Sequence, residues 1–282
     1  MELSTNARVN YSNSACSVVR IFGTKYYHQK TADGGDLWLT ESGWPWKNLL
    51  SPERWYNGGS YTKQATRLGF STGHVYKHLV SDHGRKIEFV IKVSRVAQRV
   101  VSGGLLDNTN RERTCFSSPF EEISQLRLLR ESNAPQKYVF TKRPLGIFSP
   151  GSKIPSWMLD RVPHEFHLAA KRIELDRTRV ISDETSKLDP NRDYLTLFSW
   201  VVGLNLEELL LSGKISRSEM NAIDHEVRQR LDRLGFVVAD HKPNHIIVRL
   251  DKRGLPRRRN GKWVVALADF ELLEQINRPA FA

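Results

Sequence analysis

The chain has 282 residues, 39% of them hydrophobic and 26% charged, with a formal net charge of +12. This length leaves room for one large domain or two lobes, and the lack of any apolar run of about eighteen residues excludes a membrane-spanning helix. Residues 1–8 have no apolar signal-peptide core. Two cysteines, Cys16 and Cys115, exclude a disulfide framework and favour a reducing cytoplasm. The positive charge favours an anionic partner: a nucleotide such as ATP, a nucleic acid, an acidic protein or a lipid surface.

Residues 1–58 differ in composition from the rest of the chain. They hold four of the seven tryptophans, namely Trp38, Trp44, Trp46 and Trp55. Glycines and prolines interrupt the segment, so long regular elements are not expected there. We therefore expect a compact appendage on the main domain, in which packing of the aromatic rings is favoured over an aromatic binding surface.

A pattern typical of β-strands begins after the appendage, in a second region at 59–199. Residues 75–80 alternate between apolar and polar side chains, and residues 87–93 form a second apolar strand. A helix is predicted to begin near Ser118, with an apolar stripe at helical spacing. Residues 137–140 are predicted to form another strand.

Residues 141–192 are interpreted as an insertion or long connection within this second region. A helix is predicted at 163–177, where His164 and His167 lie three residues apart. That spacing suits a shared metal ion, but no clustered third ligand accompanies the pair, so ordinary histidines are the favoured interpretation.

The third region, 200–282, begins within a strongly β segment at 193–202. A short helix is predicted at 204–211. Ser216 and Glu219 then form a capping-box pattern, and apolar residues at helical spacing continue to Gly235, which is suited to a helix C-terminus.

Two aspartates flank a predicted hairpin in this region. Asp240 precedes an apolar β segment and Asp269 follows another, with the strong turn signal Asn260-Gly261 between them. Phosphoryl transfer requires such a pair of carboxylates, one to orient a hydroxyl and one to hold the metal on the nucleotide phosphates.

Taken together, these segments resemble the protein-kinase-like superfamily. The resemblance implies an α+β, two-lobed fold with an antiparallel-sheet N-lobe and a reduced helical C-lobe. Residues 68–76 are similar to the glycine-rich loop, in which backbone N–H groups approach phosphate oxygens. The resemblance therefore implies nucleotide contacts for Gly69, Ser71, Thr72, Gly73 and Val75, although the two glycines are one residue closer than in the usual pattern.

Residues 90–93 resemble the strand motif that supplies the phosphate-binding lysine, which here is Lys92. A buried amine needs a carboxylate partner. Glu122 resembles the helix glutamate of the family and is preferred over Glu121. Trp200 and Val202 fall at the position of the hinge that binds the adenine edge.

Residues 240–245 resemble the catalytic loop, with the Asp-x-Lys-Pro order of serine/threonine kinases. The resemblance implies that Asp240 orients the substrate hydroxyl and that Lys242 neutralises charge on the transferred phosphate. His245 stands where the family has a metal-binding asparagine, while a bulge would place Asn244 there instead. A neutral imidazole can bind a metal, although magnesium prefers oxygen.

Residues 269–271 are similar to the Asp-Phe-Gly motif, with a glutamate in place of the glycine. The resemblance implies that Asp269 binds Mg²⁺. Only eleven residues follow Glu271, so we expect a C-lobe that is minimal, completed by a partner or cut short.

The leading hypothesis is ATP-dependent phosphotransfer to a hydroxyl, either of a protein Ser/Thr or of a small molecule such as a sugar. The first alternative is a catalytically inactive pseudokinase that acts as a nucleotide sensor or scaffold. The second is a basic nucleic-acid-binding protein, suggested by the cations around the predicted hairpin tip: Lys252, Arg253, Arg257, Arg258, Arg259 and Lys262. Phosphate binding of that kind would depend steeply on salt.

Overall fold

A computed structural model describes residues 16–68, 74–94, 117–133, 139–152, 192–238, 241–270 and 272–275. Several predicted features lie outside these ranges: the glycine-rich loop at 69–73, the helix at 163–177 with His164 and His167, and the individual residues Cys115, Asp240 and Glu271. The described residues form a mixed α+β structure, which agrees with the predicted fold class at that level.

An eight-stranded sheet dominates the structure, and every neighbouring pair of its strands is antiparallel. Its order is β1 (Ser17–Ile21), β2 (Thr24–Lys30), β3 (Asp36–Thr40), β8 (Pro144–Ser149), β9 (Leu195–Ser199), β6 (Arg85–Val93), β5 (Val75–Asp82) and β4 (Thr66–Arg67). A four-stranded sheet has the order β10 (Leu204–Asn205), β12 (Ile246–Val248), β15 (Val265–Leu267) and β7 (Phe140–Thr141).

The described residues also form two short ribbons, four α-helices and four single-turn 3-10 helices, the latter at Trp44–Trp46, Pro52–Arg54, Asn57–Gly59 and Pro243–His245. The ribbons pair β11 (Phe236–Val238) with β16 (Leu273–Gln275), and β13 (Arg258–Arg259) with β14 (Lys262–Trp263). The helices are α1 (Tyr61–Gln64), α2 (Pro119–Asn133), α3 (Leu206–Leu211) and α4 (Arg217–Arg233). None of the described helices is long and apolar enough to cross a membrane.

The tryptophan-rich segment contains three strands of five to seven residues. It supplies β1, β2 and β3, and the large sheet is continuous across the boundary predicted after residue 58. The strand β3 is buried on both faces, so it lacks the alternation that marks a half-exposed strand. The preference for aromatic packing is confirmed: Trp55 is 1% exposed, and the ring of Trp44 stacks on Tyr27 at a centroid distance of 4.3 Å.

The start of the predicted insertion is also wrong, because β8 lies in the middle of the large sheet. All six of its residues are buried, and it pairs with β3 on one side and β9 on the other. Proline at the first position and Gly146 inside the strand weakened the local signal for a strand. The glycine is required by packing, since a Cβ atom there would lie 2.6 Å from the carbonyl oxygen of Trp38.

The remaining periodic segments form the predicted elements. The strands β5 and β6 and the start of α2 at Pro119 confirm the predictions, while β9 is shorter than the predicted segment and β7 begins at Phe140. The Ser216 capping box begins α4, and Asn205 forms a second capping box at the start of α3. Gly235, with a φ of 78°, follows α4 as predicted.

The predicted hairpin between the two aspartates is confirmed in its strands and its turn. The strands β12 and β15 pair antiparallel, and Asn260 and Gly261 have φ angles of 51° and 72°. Positive φ at both central residues is the signature of a type I′ turn, which matches the twist of a hairpin. The hairpin packs into a core shared with α2, α3, α4 and the end of β9.

Candidate functional site

A cleft of about 480 Å³ lies where the large sheet meets the four-stranded sheet. Its walls come from β5, β6, the connection from β9 to β10, β12 and the residues after β15. Apolar walls are supplied mainly by Leu68, Val75, Val90, Trp200 and Ile247. A largely apolar cleft with a few convergent polar groups is the usual form of a small-molecule site.

Lys92 extends into this cleft from β6, on the same face of the strand as Val90. Its side chain is 7% exposed, and its Nζ lies 2.7 Å from Asp269 Oδ1 and 3.4 Å from Glu122 Oε1. A buried ammonium group is stable only when carboxylates compensate for its lost hydration. The three predicted residues are therefore brought together, from a strand, a helix and a strand end.

Glu122, rather than Glu121, is the α2 carboxylate that reaches Lys92. Glu122 is 3% exposed. The Oε2 atom of Glu121 instead accepts a hydrogen bond from the backbone N–H of Ser118 at 2.7 Å, while Ser118 Oγ accepts one from the N–H of Glu121 at 3.2 Å. Glu121 thus caps the start of the helix, and the next residue along points inward.

Asp269 and His245 meet at the far wall of the cleft. The backbone N–H of Ala268 donates to the carbonyl oxygen of His245 at 2.9 Å, which joins the two segments. His245 Nε2 lies 3.7 Å from Asp269 Oδ2. Burial by itself would raise the pKa of Asp269, but the charges of Lys92, His245 and Lys142 outweigh it and hold the pKa well below its usual range.

The metal-binding capacity of this wall rests on few groups. Within the described residues, no cluster of three or more His, Cys, Asp or Glu side chains could hold a metal ion. Magnesium is commonly held by one or two carboxylates together with substrate phosphates and water. Asp269, whose side chain is 30% exposed, fits that mode, and His245 offers a nitrogen that magnesium accepts less readily.

Lys142 is a site residue that the sequence did not reveal. It is 4% exposed and lines the cleft from the connection between β7 and β8. Its Nζ lies 3.8 Å from Glu122 Oε1 and 3.5 Å from the centroid of the Phe198 ring. Residues around it were assigned to an insertion, and no local pattern marks a lysine as one that reaches a distant cleft.

The predicted hinge is only partly in the cleft. Trp200 lines the cleft, and its backbone N–H donates to the carbonyl oxygen of Glu88 at 3.2 Å. Val202 is 62% exposed and is not among the lining residues, whereas Val201 and Gly203 are. The hinge prediction concerns backbone contacts to the adenine edge, so the exposed side chain of Val202 leaves it a prediction.

The two ends of the predicted glycine-rich loop lie at the mouth of the cleft. The backbone N–H of Leu68 donates to the carbonyl oxygen of Val75 at 2.9 Å, and both residues line the cleft. The loop that joins them, with Gly69, Ser71, Thr72 and Gly73, lies outside the described residues. The residues at its two ends therefore border the cleft, and the contacts of the loop itself stay a prediction.

The segment after Asp240 is tied to α4 through His241. The His241 side chain is 2% exposed, and its Nε2 lies 2.9 Å from Asp224 Oδ1. Arg228 Nε lies 2.8 Å from the other oxygen of Asp224, and an Arg228 guanidinium N–H donates to the carbonyl oxygen of His241 at 3.4 Å. Lys242, predicted to act in catalysis, is partly buried and is not among the cleft-lining residues described.

Comparisons with known proteins add little to this geometry. No protein-family description and no curated protein matches the chain. Among solved structures, the kinase PK-1 of the Cydia pomonella granulovirus aligns over 80% of this chain at 11% identity, with a TM-score of 0.36. The aligned region spans 58% of the viral kinase. A similarity at this level carries no argument about activity, which must come from the cleft.

Proposed function

We propose that the chain is a two-lobed, protein-kinase-like enzyme that transfers a phosphoryl group from ATP to a hydroxyl. The observation that carries this proposal is the convergence of Lys92 and Asp269 in one largely apolar cleft, with the buried Glu122 at 3.4 Å from the lysine. The apolar walls around Val90 suit a planar adenine ring, and the charged end suits the phosphates.

In this proposal Lys92 binds the phosphates and Glu122 holds the lysine in place. Lys92 is paired with Asp269 at 2.7 Å, so a bound nucleotide would exchange that contact for its phosphate oxygens. Asp269, together with His245, would hold Mg²⁺, which when bound neutralises charge on the phosphates. Lys142 supplies a second positive charge beside Glu122, so that the glutamate stays compensated while Lys92 moves.

Asp240 and Lys242 are proposed to act on the acceptor side. Asp240 would orient the hydroxyl and accept its proton, and Lys242 would neutralise charge on the transferred group. Catalysis would come chiefly from positioning and from electrostatic stabilisation. The acceptor class is a protein Ser/Thr or a small molecule such as a sugar, both of which present the same hydroxyl chemistry.

The test is ATP turnover and phosphate transfer measured for wild type, Asp240→Asn and Asp269→Asn. We expect each variant to lose at least about 100-fold in turnover, because each substitution removes a group that acts in the transition state. The matched control is Glu41→Gln, which alters a carboxylate that is 70% exposed in the large sheet region. Wild-type turnover in both variants would refute the assigned roles.

A pseudokinase is the second candidate, and one contact favours it. In the 2.7 Å pair, the proposed phosphate-binding group, Lys92, contacts the proposed metal-binding group, Asp269. A nucleotide sensor could retain this pair and bind ATP without metal. Calorimetric titration of ATP with and without magnesium, beside a turnover assay, separates the two: tight binding without turnover supports the sensor.

A further inference from the structure

A strongly basic surface lies on the hairpin between β12 and β15, and the cleft makes no use of it. Residues 249–262 contain seven arginines and lysines and one acid, Asp251, which gives this segment a net charge of +6, half that of the chain. We call this surface the basic hairpin. Its cations are Arg249, Lys252, Arg253, Arg257, Arg258, Arg259 and Lys262.

The backbone of the basic hairpin is well ordered by hydrogen bonds. The N–H of Arg257 donates to the carbonyl oxygen of Arg249 at 2.7 Å, and the N–H of Val264 donates to that of Arg257 at 3.0 Å. Asp251 Oδ1 accepts from the N–H groups of Arg253 and Leu255 at 2.8 and 3.0 Å. The single acid, Asp251, therefore stabilises the turn at 251–255.

Most cations of the basic hairpin are not neutralised by the protein. Five side chains have no ion pair with any carboxylate in the part of the chain that is described: Arg249, Lys252, Arg253, Arg257 and Arg259. Of the other two cations, Arg258 lies 3.7 Å from the centroid of the Trp263 ring and 3.9 Å from Glu219. Such crowding of like charges opposes folding unless an external anion relieves it.

The order of the cations suits a regular row of phosphates. Side chains alternate along a strand, so Arg257 and Arg259 lie on one face about 7 Å apart, opposite the face that Arg258 shares with Trp263. Five of the seven cations are arginines, whose planar fork matches phosphate oxygens. A two-stranded ribbon is also one of the elements that the major groove of a duplex admits.

We propose that the basic hairpin binds the phosphodiester backbone of a nucleic acid. A membrane surface is disfavoured, because peripheral binding requires an apolar face, and Leu255 is the only large apolar residue of residues 249–262 that is conspicuously exposed, at 53%. Binding is expected to be independent of sequence, since phosphate contacts carry no base information. This surface and the cleft are independent proposals.

The test is fluorescence anisotropy of the full chain with mixed-sequence duplex DNA and with single-stranded RNA, titrated at several salt concentrations. If the five unneutralised cations each contact a phosphate, log K should fall with log salt at a slope of about −4 to −5 on the duplex. Affinity should then fall by roughly several hundred-fold between 50 and 200 mM salt. Comparison of the affinities for the two probes shows whether the basic hairpin binds the DNA duplex or the single-stranded RNA more tightly.

The diagnostic variant is Arg257→Ala/Arg259→Ala, which keeps the Asn260-Gly261 turn. We expect its slope on duplex DNA to be shallower by about 2, with a melting temperature no lower than that of the wild type. The matched control is Arg20→Ala/Arg233→Ala, which removes two exposed arginines from β1 and from the far end of α4. Equal loss in both variants would show a general charge effect and overturn the proposal. No binding at 50 mM salt, or binding only to phosphatidylserine vesicles or polyglutamate, would overturn it as well.

Discussion

The Nζ atom of Lys92 lies 2.7 Å from Oδ1 of Asp269, although 177 positions separate the two residues in the chain. The same amine lies 3.4 Å from Glu122. One lysine therefore links a central strand of the large sheet, the helix α2 and the segment after β15. A contact of this kind holds three distant segments in one geometry.

The first prediction concerns the magnesium dependence of nucleotide binding. On the proposed function, magnesium should tighten ATP binding to the wild type at least about tenfold, because Asp269 would hold the metal and the amine of Lys92 would then be available to the phosphates. In Asp269→Asn this gain should shrink to less than about threefold. Calorimetric titration with and without magnesium measures both values. A full magnesium effect in the variant would mean that another group holds the metal.

The second prediction concerns Lys142, which compensates Glu122 in a buried setting. Lys142→Met should lower the free energy of unfolding by about 1–3 kcal/mol, and the combined Lys142→Met/Glu122→Gln variant should lose less than the sum of the single changes. Urea unfolding of the four proteins gives the coupling energy. Lys86→Met, at an exposed lysine of β6, should change stability by less than about 0.5 kcal/mol. Additive effects of the two buried changes would exclude a direct interaction.

The third prediction concerns acid stability and rests on Asp36. Burial would raise its pKa, but hydrogen bonds from Lys30, Arg192 and His28 outweigh burial and lower it to about 2 from the ordinary 3.8. A lowered pKa stabilises the fold above the unfolded pKa, and this stability is lost as pH falls through the folded pKa. The loss should amount to about 2 kcal/mol between pH 5 and pH 2.

Substitution of Asp36 isolates this contribution. Asp36→Asn should be less stable than wild type at pH 7, and the difference between the two proteins should narrow as pH falls from 5 to 2. Glu41→Gln changes an exposed carboxylate, and its free energy of unfolding should depend on pH as that of the wild type does. Denaturant unfolding across this pH range measures the effect. A constant difference at every pH would contradict the linkage.

The fourth prediction concerns the positioning of the loop that carries His245, and it rests on the proposed phosphotransfer. Asp224→Ala removes the carboxylate that holds His241 at 2.9 Å. We expect kcat to fall by roughly 10- to 100-fold with little change in KM for ATP, because displacement of a catalytic loop by about 1 Å has effects of that size. Steady-state kinetics measures the split between the two constants.

Two further variants separate positioning from simple destabilisation. Asp224→Asn retains an acceptor for His241 and should recover part of the lost kcat. Asp232→Ala alters an exposed acid on the same helix and should behave as wild type. If Asp224→Ala raised KM for ATP with kcat unchanged, the contact would act on nucleotide binding and the positioning role would be wrong.

Local patterns predicted those helices and strands in which side-chain periodicity agrees with capping or turn residues at the ends of the element. The alternation along β5, the stripe of α2 and the Ser216 capping box each led to the correct element. The central strand β8 was not predicted, because a strand buried on both faces has no alternation of apolar and polar residues. Gly146 also weakens the local preference for a strand. The strand β3 of the tryptophan-rich segment was not predicted for the first of these reasons, since all five of its residues are buried.

By itself, the sequence determined the type and position of most elements around the cleft, because spacing along a strand or helix is local information. Lys92, Glu122 and Asp269 were singled out through the resemblance of their motifs to the protein-kinase-like superfamily. The tertiary structure decided that Lys142 joins Glu122, that Val202 lies outside the cleft and that β1 to β3 extend one sheet. Such relationships depend on which distant segments bury one another, and neighbouring residues in the chain do not encode that choice.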